Sequence, residues 1–236
     1  MNCNKCNKPC IKNGFQVNGK QRFLCKDCGC HQQSQYNYNA YKPNTNTQIV
    51  KLLANSCGIR DISRILSISK TTVLKRILRI SKELKQPSIY ENNQIYEADE
   101  VSIKMKGFNR YAISYIINRK TKRVIDFCIG SKTAENLKPM INKVLYLNPK
   151  RIYTDKMRTY FSLISNEIHS TKKYQTNSIE RFHLTIRTHL KRCSRKTICT
   201  SKSDKILNAI LKIYFYVFNT NYFSKTKDFS LHLTCC

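Results

Sequence analysis

Acidic side chains are scarce in this chain, so the positions where they occur are informative. Only 14 residues are Asp or Glu, against 43 Lys and Arg. Asp99 lies within an alternating apolar segment, Asp155 closes a short apolar segment, and Glu180 lies in a stretch with helical periodicity. Converging carboxylates can hold two magnesium ions about 4 Å apart, which activate an attacking oxygen and stabilise a leaving oxygen. These residue types therefore indicate metal-dependent chemistry that needs no covalent nucleophile.

The elements that must position these acids form a predicted α/β domain over residues 93–223. Hydrophobic periodicity predicts strands over 95–103, 111–119, 123–129 and 151–155, and helices over 133–147 and 177–191. Three strands, a helix, a strand and a helix is the ribonuclease-H-like order. Asp155 then ends a strand, where α/β sheets usually place function. Glu97 and Glu100 remain alternatives to Asp99, and Glu97 shares the Asp99 face of its strand.

Basic side chains follow Glu180 along the predicted helix and the segment after it. Arg and Lys are the residues that most often neutralise the phosphates of nucleic acids. We expect a phosphate-binding surface formed by Arg187, Arg192, Arg195 and Lys196. His183 lies on the same helical stripe, and we interpret it as structural, with donation to a carboxylate or a DNA contact as the functional alternatives.

Two cysteine pairs near the start of the chain predict a zinc site. Their four thiolates have the Cys-x-x-Cys spacing that lets both pairs converge tetrahedrally on one ion: Cys3, Cys6, Cys25 and Cys28. Between the pairs, Asn18-Gly19 marks a hairpin turn flanked by strand-like residues 15–17 and 22–24. The pattern predicts a small zinc ribbon over residues 1–41, folded by a structural metal. Alternative fourth ligands lie nearby at Cys10, Cys30 and His31.

Helical periodicity predicts a second small module over residues 44–87. Its helices are expected over 47–55, 59–66 and 70–81, with Ser69 as the N-cap of the third helix. Ile62, Ile65 and Leu66 are expected to face inward from the second helix. Two helices joined by a short turn are typical of helix-turn-helix readers, which place the second helix in the major groove. Candidate DNA contacts on that helix are Lys70, Thr71, Thr72, Lys75 and Arg76.

The formal net charge of +29 indicates a polyanionic partner, since such a field attracts nucleic acid or, second, an anionic membrane surface. The longest apolar stretch, residues 206–218, is shorter than the roughly 20 residues of a membrane span. No secretory signal is visible. We therefore expect a cytoplasmic, nucleoid-associated protein without a membrane partner, in which the 12 cysteines are mostly reduced. Residues 224–236 are expected to form a loose tail.

Several short segments together resemble one known family, the transposases of insertion sequence one among bacterial mobile elements. The resemblance covers roughly residues 3–222, and 24 residues separate Asp155 from Glu180, which is similar to the family's spacing. The segments that carry it are Phe23–Cys28, Tyr36–Ala40, Gln48–Leu78, Ala98–Glu100, Tyr153–Asp155 and Ile179–Thr197.

The resemblance implies a catalytic triad of Asp99, Asp155 and Glu180 that binds Mg²⁺ or Mn²⁺. It implies that the N-terminal modules bind the terminal inverted repeats of the element. It also implies metal-dependent cleavage and strand transfer by a homo-oligomer on DNA, because two element ends must be joined.

Two other functions are compatible with the residues alone. The chain is either a DNA-binding regulator or a decayed, inactive transposase if its carboxylates no longer hold metal. A tyrosine recombinase, using one of the 14 Tyr as nucleophile, would instead cut without metal and form a covalent phosphotyrosine. Magnesium-dependent cleavage of element-end DNA discriminates between these functions.

Overall fold

Eight β-strands and seven α-helices are found in the residues that the computed structural model describes. These residues are 1–17, 19–33, 38–84, 91–105, 107–172, 175–195 and 197–221, so the expected tail over 224–236 lies outside them. The chain divides into two units between Thr45 and Asn46.

The first unit is built on a small antiparallel sheet. Its strands, in the order β1-β2-β3, are β1 (Ile11–Phe15), β2 (Gln21–Leu24) and β3 (His31–Gln33). The predicted hairpin is confirmed as β1 and β2, with an irregularity in the pairing before Phe15. The first strand was predicted over 15–17, but β1 ends at Phe15, and Asn18 of the turn lies outside the described residues. One cysteine pair precedes β1, and the other lies in the loop between β2 and β3.

The second unit contains a five-stranded mixed sheet. Its strands are β4 (Ile95–Met105), β5 (Phe108–Asn118), β6 (Val124–Gly130), β7 (Arg151–Tyr153) and β8 (His169–Ser170). They lie in the order β6-β5-β4-β7-β8, with β4, β5 and β6 antiparallel and with β7 and β8 parallel to β4. The sheet therefore changes from antiparallel to parallel pairing at β4, the strand that carries Asp99.

The helices of the described residues are α1 (Thr45–Ala54), α2 (Ile59–Leu66), α3 (Lys70–Glu83), α4 (Ala134–Leu145), α5 (Arg158–Leu163), α6 (Asn177–His189) and α7 (Asp204–Asn221). Four of them, α4 to α7, pack on the two faces of this sheet. On one face, Tyr96 and Ala98 of β4 pack in a core with α4 and α5. On the other face, the ring of Tyr115 contacts Phe182 of α6 and Phe215 of α7. The observed architecture is the predicted α/β class.

The three helices predicted for residues 44–87 are confirmed as α1, α2 and α3. The hydroxyl oxygen of Ser69 accepts a hydrogen bond from the Thr72 backbone N–H at 3.1 Å, which confirms Ser69 as an N-cap. The orientation predicted for Ile65 is wrong, because its side chain is 58% exposed while Ile62 is fully buried. Helix α3 packs against α7 within the second unit, so a separate helix-turn-helix module stays a prediction.

Three elements of the second unit were not predicted from periodicity. Helix α5 has six residues and β8 has two, which are too few for a recognisable repeat. Helix α7 contains the apolar stretch 206–218 and packs on the sheet. None of the helices in the described ranges, α7 included, reaches the length and apolarity that a bilayer crossing demands.

Candidate functional site

The four predicted zinc ligands lie together in the first unit. One sulfur atom from each of Cys3, Cys6, Cys25 and Cys28 lies within 4.8 Å of the other three. Cys3 and Cys28 are 3.5 Å apart, and Cys6 lies 3.4 Å from both Cys25 and Cys28. Sulfur atoms that share one tetrahedral zinc at a Zn–S distance of about 2.3 Å are about 3.8 Å apart. The cluster therefore fits a metal ion.

Backbone donors around this cluster favour the ionised form of at least one thiol. The backbone N–H of Lys5, 3.4 Å from the Cys3 sulfur, and that of Cys6 lower the pKa of Cys3 to about 6. The thiolate is the form that binds metal. The alternative ligands Cys10, Cys30 and His31 are not part of the cluster formed by the described residues.

A second cluster of possible metal ligands lies in the other unit. Carboxylate oxygens of Asp99, Glu100 and Asp155 lie within 4.8 Å of one another. Pairing between β4 and β7 ends at Glu97 and Tyr153, so β4 continues beyond the last residue of its parallel neighbour. Asp99 and Glu100 occupy this extension, and Asp155 lies two residues after β7 ends. The fold thus brings two acids of one strand and one acid from a loop to the same edge.

Asp99 is partly buried between β4 and α6. Its Oδ1 accepts a hydrogen bond from the Glu100 backbone N–H at 2.7 Å. Burial raises the pKa of Asp99 to about 7, and repulsion from Glu100 and Asp155 adds to the shift. This crowding of like charges is what a bound divalent cation would relieve.

His183 of α6 faces Asp99. Its Nε2 lies 3.7 Å from Asp99 Oδ2 and has no hydrogen-bond partner among the described residues. Burial, with help from Arg187, lowers the pKa of His183 to about 4. The ring is therefore neutral near pH 7, and the contact with Asp99 is not an ion pair.

Glu100 is more completely enclosed than the two aspartates. Its side chain is fully buried; Oε1 accepts a hydrogen bond from the Tyr160 hydroxyl, and Oε2 lies 3.1 Å from Lys132 Nζ. Both of its oxygens are thus engaged by protein groups. Periodicity did not identify Tyr160 or Lys132, because neither lies near Glu100 in sequence.

Asp155 is the exposed member of the cluster. Its Oδ1 accepts a hydrogen bond from the Met157 backbone N–H at 2.9 Å, which holds the loop after β7. The preceding residue, Thr154, is buried, and its Oγ1 lies 2.7 Å from His169 Nε2 on β8. The unpredicted strand β8 therefore anchors the segment that carries Asp155.

Glu180 lies outside the carboxylate cluster of the described residues. It is exposed in the first turn of α6, and its Oε1 is 3.4 Å from Thr176 Oγ1. Glu97, the alternative to Asp99, is fully buried, and its Oε2 accepts a hydrogen bond from the Ile179 backbone N–H at 3.0 Å. Glu97 therefore contacts α6 beside Glu180 and is not a member of the cluster.

The candidate DNA contacts on α3 divide into two groups. Lys70, Thr71 and Lys75 are exposed. Thr72 and Arg76 are partly buried and contact their own unit, because Thr72 Oγ1 lies 2.8 Å from the N-cap hydroxyl and Arg76 donates to Asn46 Oδ1 at 3.1 Å.

The candidate phosphate contacts near α6 also differ in exposure. Arg187 is partly buried, and its Nε has no hydrogen-bond partner in the described part of the chain. Arg192 is partly buried with Nη1 3.5 Å from Ser201 Oγ, while Arg195 is exposed. Lys196 lies outside the described residues.

Comparison with solved structures finds retroviral integrases at low similarity. One chain of a simian T-cell lymphotropic virus intasome, in complex with PP2A regulatory subunit B56 gamma, aligns over 69% of this chain and 66% of its own length, at 15% identity and a TM-score of 0.37. The HTLV-2 integrase catalytic core domain, in complex with magnesium in its dimeric form, aligns over 50% of this chain and 83% of its own length, at 20% identity and a TM-score of 0.31.

Comparison of sequences identifies the family. The protein InsB of insertion element iso-IS1n from Shigella dysenteriae is 33% identical over 97 residues, which cover 41% of this chain and 74% of InsB. The family model described as IS1 transposase matches residues 99–223, and this range contains the carboxylate cluster and all of α6. The chain belongs to the IS1 transposase family.

Proposed function

We propose that this chain is a transposase that binds the terminal inverted repeats of its mobile element and carries out divalent-metal-dependent strand cleavage and strand transfer. The observation that carries the proposal is the approach of Asp99 and Asp155 where β4 extends beyond its last pair with β7. Family membership and the net charge of +29 support DNA as the substrate. The strand order and helix placement support a ribonuclease-H-like assignment for this domain.

The donor set around Asp99 fits Mg²⁺ or Mn²⁺, which prefer carboxylate oxygens. Asp99 and Asp155 would hold the ions, and the raised pKa of Asp99 is consistent with a site that needs a cation to balance its charge. Bound divalent ions would supply an activated attacking oxygen and stabilisation of the leaving oxygen. The chain itself orients the two aspartates, through the backbone N–H groups of Glu100 and Met157.

The resemblance assigns the third acidic position to Glu180, whereas Glu100 lies closer to the aspartates. Glu180 is exposed on a helix that packs over the site, so its side chain is accessible to a bound DNA end and its ions. Glu100 is enclosed and held by Tyr160 and Lys132, which suits a supporting role in keeping Asp99 and the loop before α4 in place. We therefore propose Asp99, Asp155 and Glu180 as the catalytic residues.

DNA recognition in this proposal uses separate surfaces. The exposed side chains at the start of α3, namely Lys70, Thr71 and Lys75, would contact element ends, together with the zinc-bearing first unit. Arg187 lies one helical turn after His183, which faces Asp99, so the partly exposed guanidinium would contact a phosphate close to the carboxylates. A homo-oligomer would hold both ends of the element, since transposition requires that the two ends are brought together.

The proposal is tested with the full-length protein and DNA that carries the inverted repeats bracketing its gene. With Mg²⁺ we expect cleavage that frees a 3′-hydroxyl at the element end, followed by joining to target DNA; with EDTA we expect neither product. Denaturing gels of labelled strands measure both steps. Specific binding without cleavage in Mg²⁺ or Mn²⁺ would contradict the enzyme assignment and support the DNA-binding regulator instead.

The choice between the two glutamates is tested by matched amide substitutions. We expect Glu180→Gln to lower cleavage by at least about a hundredfold without loss of thermal stability, because an exposed ligand is removed. Glu100→Gln should cost stability, since the contacts of this buried side chain with Lys132 and Tyr160 change, but should retain more cleavage than Glu180→Gln. The reverse order of the two cleavage rates would assign the third position to Glu100.

A further inference from the structure

A single arginine, directly after β5, contacts three chain segments that lie next to the proposed catalytic acids. The guanidinium of Arg119 lies 3.4 Å from Glu97 on β4 and 2.7 Å from Gln175 Oε1, two residues before α6. Its Cζ lies 4.9 Å from the ring centroid of Tyr153, the last residue of β7. Its backbone N–H donates to the Ile95 carbonyl of β4.

Glu97 completes this contact set from inside the protein. Its side chain is fully buried, and Oε1 faces Arg119 in an ion pair that is not an aligned hydrogen bond. Oε2 accepts the Ile179 backbone N–H, one of the N–H groups of the first helical turn that has no partner within its own helix. A negative charge at a helix N-terminus is favourable. A strand residue therefore supplies the acceptor for the start of α6.

We propose that Arg119 and Glu97 form a brace that holds the first turn of α6 against β4 and β7, so that Glu180 is presented at a set distance from Asp99 and Asp155. The two residues are positioning residues, and this role rests on the proposed function. Neither belongs to the carboxylate cluster of the described residues.

Each residue held by the brace is close in sequence to one of the proposed catalytic acids. Glu97 lies two residues before Asp99, Tyr153 lies two residues before Asp155, and Ile179 immediately precedes Glu180. We therefore expect a shift at a braced residue to displace the neighbouring acid as well. Misplacement of a reacting group by about 1 Å can reduce the rate about a hundredfold.

Loss of the arginine would leave a buried carboxylate without its cation. Such a group is strongly unfavourable in a protein interior, so we expect water to enter and the first turn of α6 to loosen. The rest of α6 is held by the apolar contacts of Phe182 and Ile186, which do not involve Arg119. The disturbance should therefore be confined to the part of α6 that carries Glu180.

The test compares Arg119→Met with Arg123→Met in the full-length protein. Both arginines flank the same β5–β6 turn and have side chains that are 33% exposed, but Arg123 pairs with Glu91, which precedes β4, at 3.5 Å. Each substitution removes one positive charge, so the effect on overall DNA attraction is matched. Arg119→Lys provides a third variant. It keeps a positive charge beside Glu97 but lacks the planar guanidinium group with its several N–H donors.

We expect Arg119→Met to reduce cleavage by about 10-fold to 100-fold and to raise the magnesium concentration for half-maximal cleavage, while affinity for element ends changes less than about twofold. Arg119→Lys should fall between the wild type and Arg119→Met. Arg123→Met should cleave like the wild type. Hydrogen exchange should accelerate at the amides of residues 177–181 in Arg119→Met and not in Arg123→Met.

Equal cleavage in Arg119→Met and Arg123→Met, or unchanged exchange at residues 177–181, would overturn the brace. If Arg119→Met does not fold, cleavage and hydrogen exchange are measured on Arg119→Lys instead. Wild-type values of both in Arg119→Lys would then overturn the brace. A wild-type protein that binds ends but never cleaves would refute the proposed function, whereas the exchange measurement would still report whether Arg119 holds α6.

Discussion

Asp155→Asn is expected to lower magnesium-dependent cleavage of element-end DNA by at least about a thousandfold, with the affinity for that DNA unchanged. Asp155 is exposed and offers a charged oxygen to the site formed with Asp99. An amide oxygen is a much weaker ligand for a divalent cation than a carboxylate. The substitution should therefore lower the rate of the chemical step, while the surfaces proposed to bind DNA stay intact.

The substitution is mild for the fold. The amide oxygen of Asn can still accept the hydrogen bond from the Met157 backbone N–H, so the loop after β7 should keep its conformation. Asp126→Asn is a suitable control, because Asp126 lies on β6 and pairs at 2.7 Å with Lys143. We expect this control to cleave at the wild-type rate. Gel-based cleavage rates and filter binding measure the two effects, and wild-type cleavage by Asp155→Asn would refute its catalytic role.

Cys25→Ser is expected to abolish metal binding by the first unit and to reduce affinity for element ends by at least about tenfold. Cys25 is fully buried in the cysteine cluster, and a serine hydroxyl does not replace a thiolate as a zinc ligand. A unit of about 45 residues has little core of its own, so we expect its folding to depend on a bound metal. The second unit, with its own sheet and helices, should keep its thermal transition.

Cys10→Ser makes the same chemical change outside the cluster. Burial raises the pKa of Cys10 to about 11, so this thiol stays protonated near neutral pH and is a poor ligand. We expect Cys10→Ser to retain one zinc per chain and wild-type affinity for DNA. Metal analysis and end binding are measured on both variants. Full affinity of Cys25→Ser without bound zinc would show that the ribbon is not needed for end recognition.

Local patterns in the sequence predicted many elements of the fold correctly. Ser69 was recognised as an N-cap because capping depends on one side chain and the backbone two or three residues away. The spacing of the cysteine pairs was enough to identify the four residues that lie together, since each pair forms its own turn. Helix α6 was predicted because its apolar stripe repeats over 13 residues.

Orientation was less predictable than secondary structure. The helical repeat of α2 placed Ile65 with Ile62, yet only Ile62 is buried. Hydrophobic periodicity indicates which side chains share a face of a helix. The neighbouring elements decide how much of that face is buried. The same reason explains why the alternation of β4 could not separate Asp99 from Glu97: both point to one face, and only the end of β7 decides which of them is open to a metal.

Residue types and short-range spacing were sufficient to predict the family, the α/β class, the four clustered cysteines and the candidate acids, because none of these depends on distant contacts. The tertiary structure alone decided that Glu100 joins the two aspartates, that Tyr160 and Lys132 occupy its oxygens, and that Arg119 and Glu97 meet the start of α6. Those contacts join residues that lie about 20 to 80 positions apart. They form only when strand pairing and helix packing have closed the intervening loops, which no local repeat records.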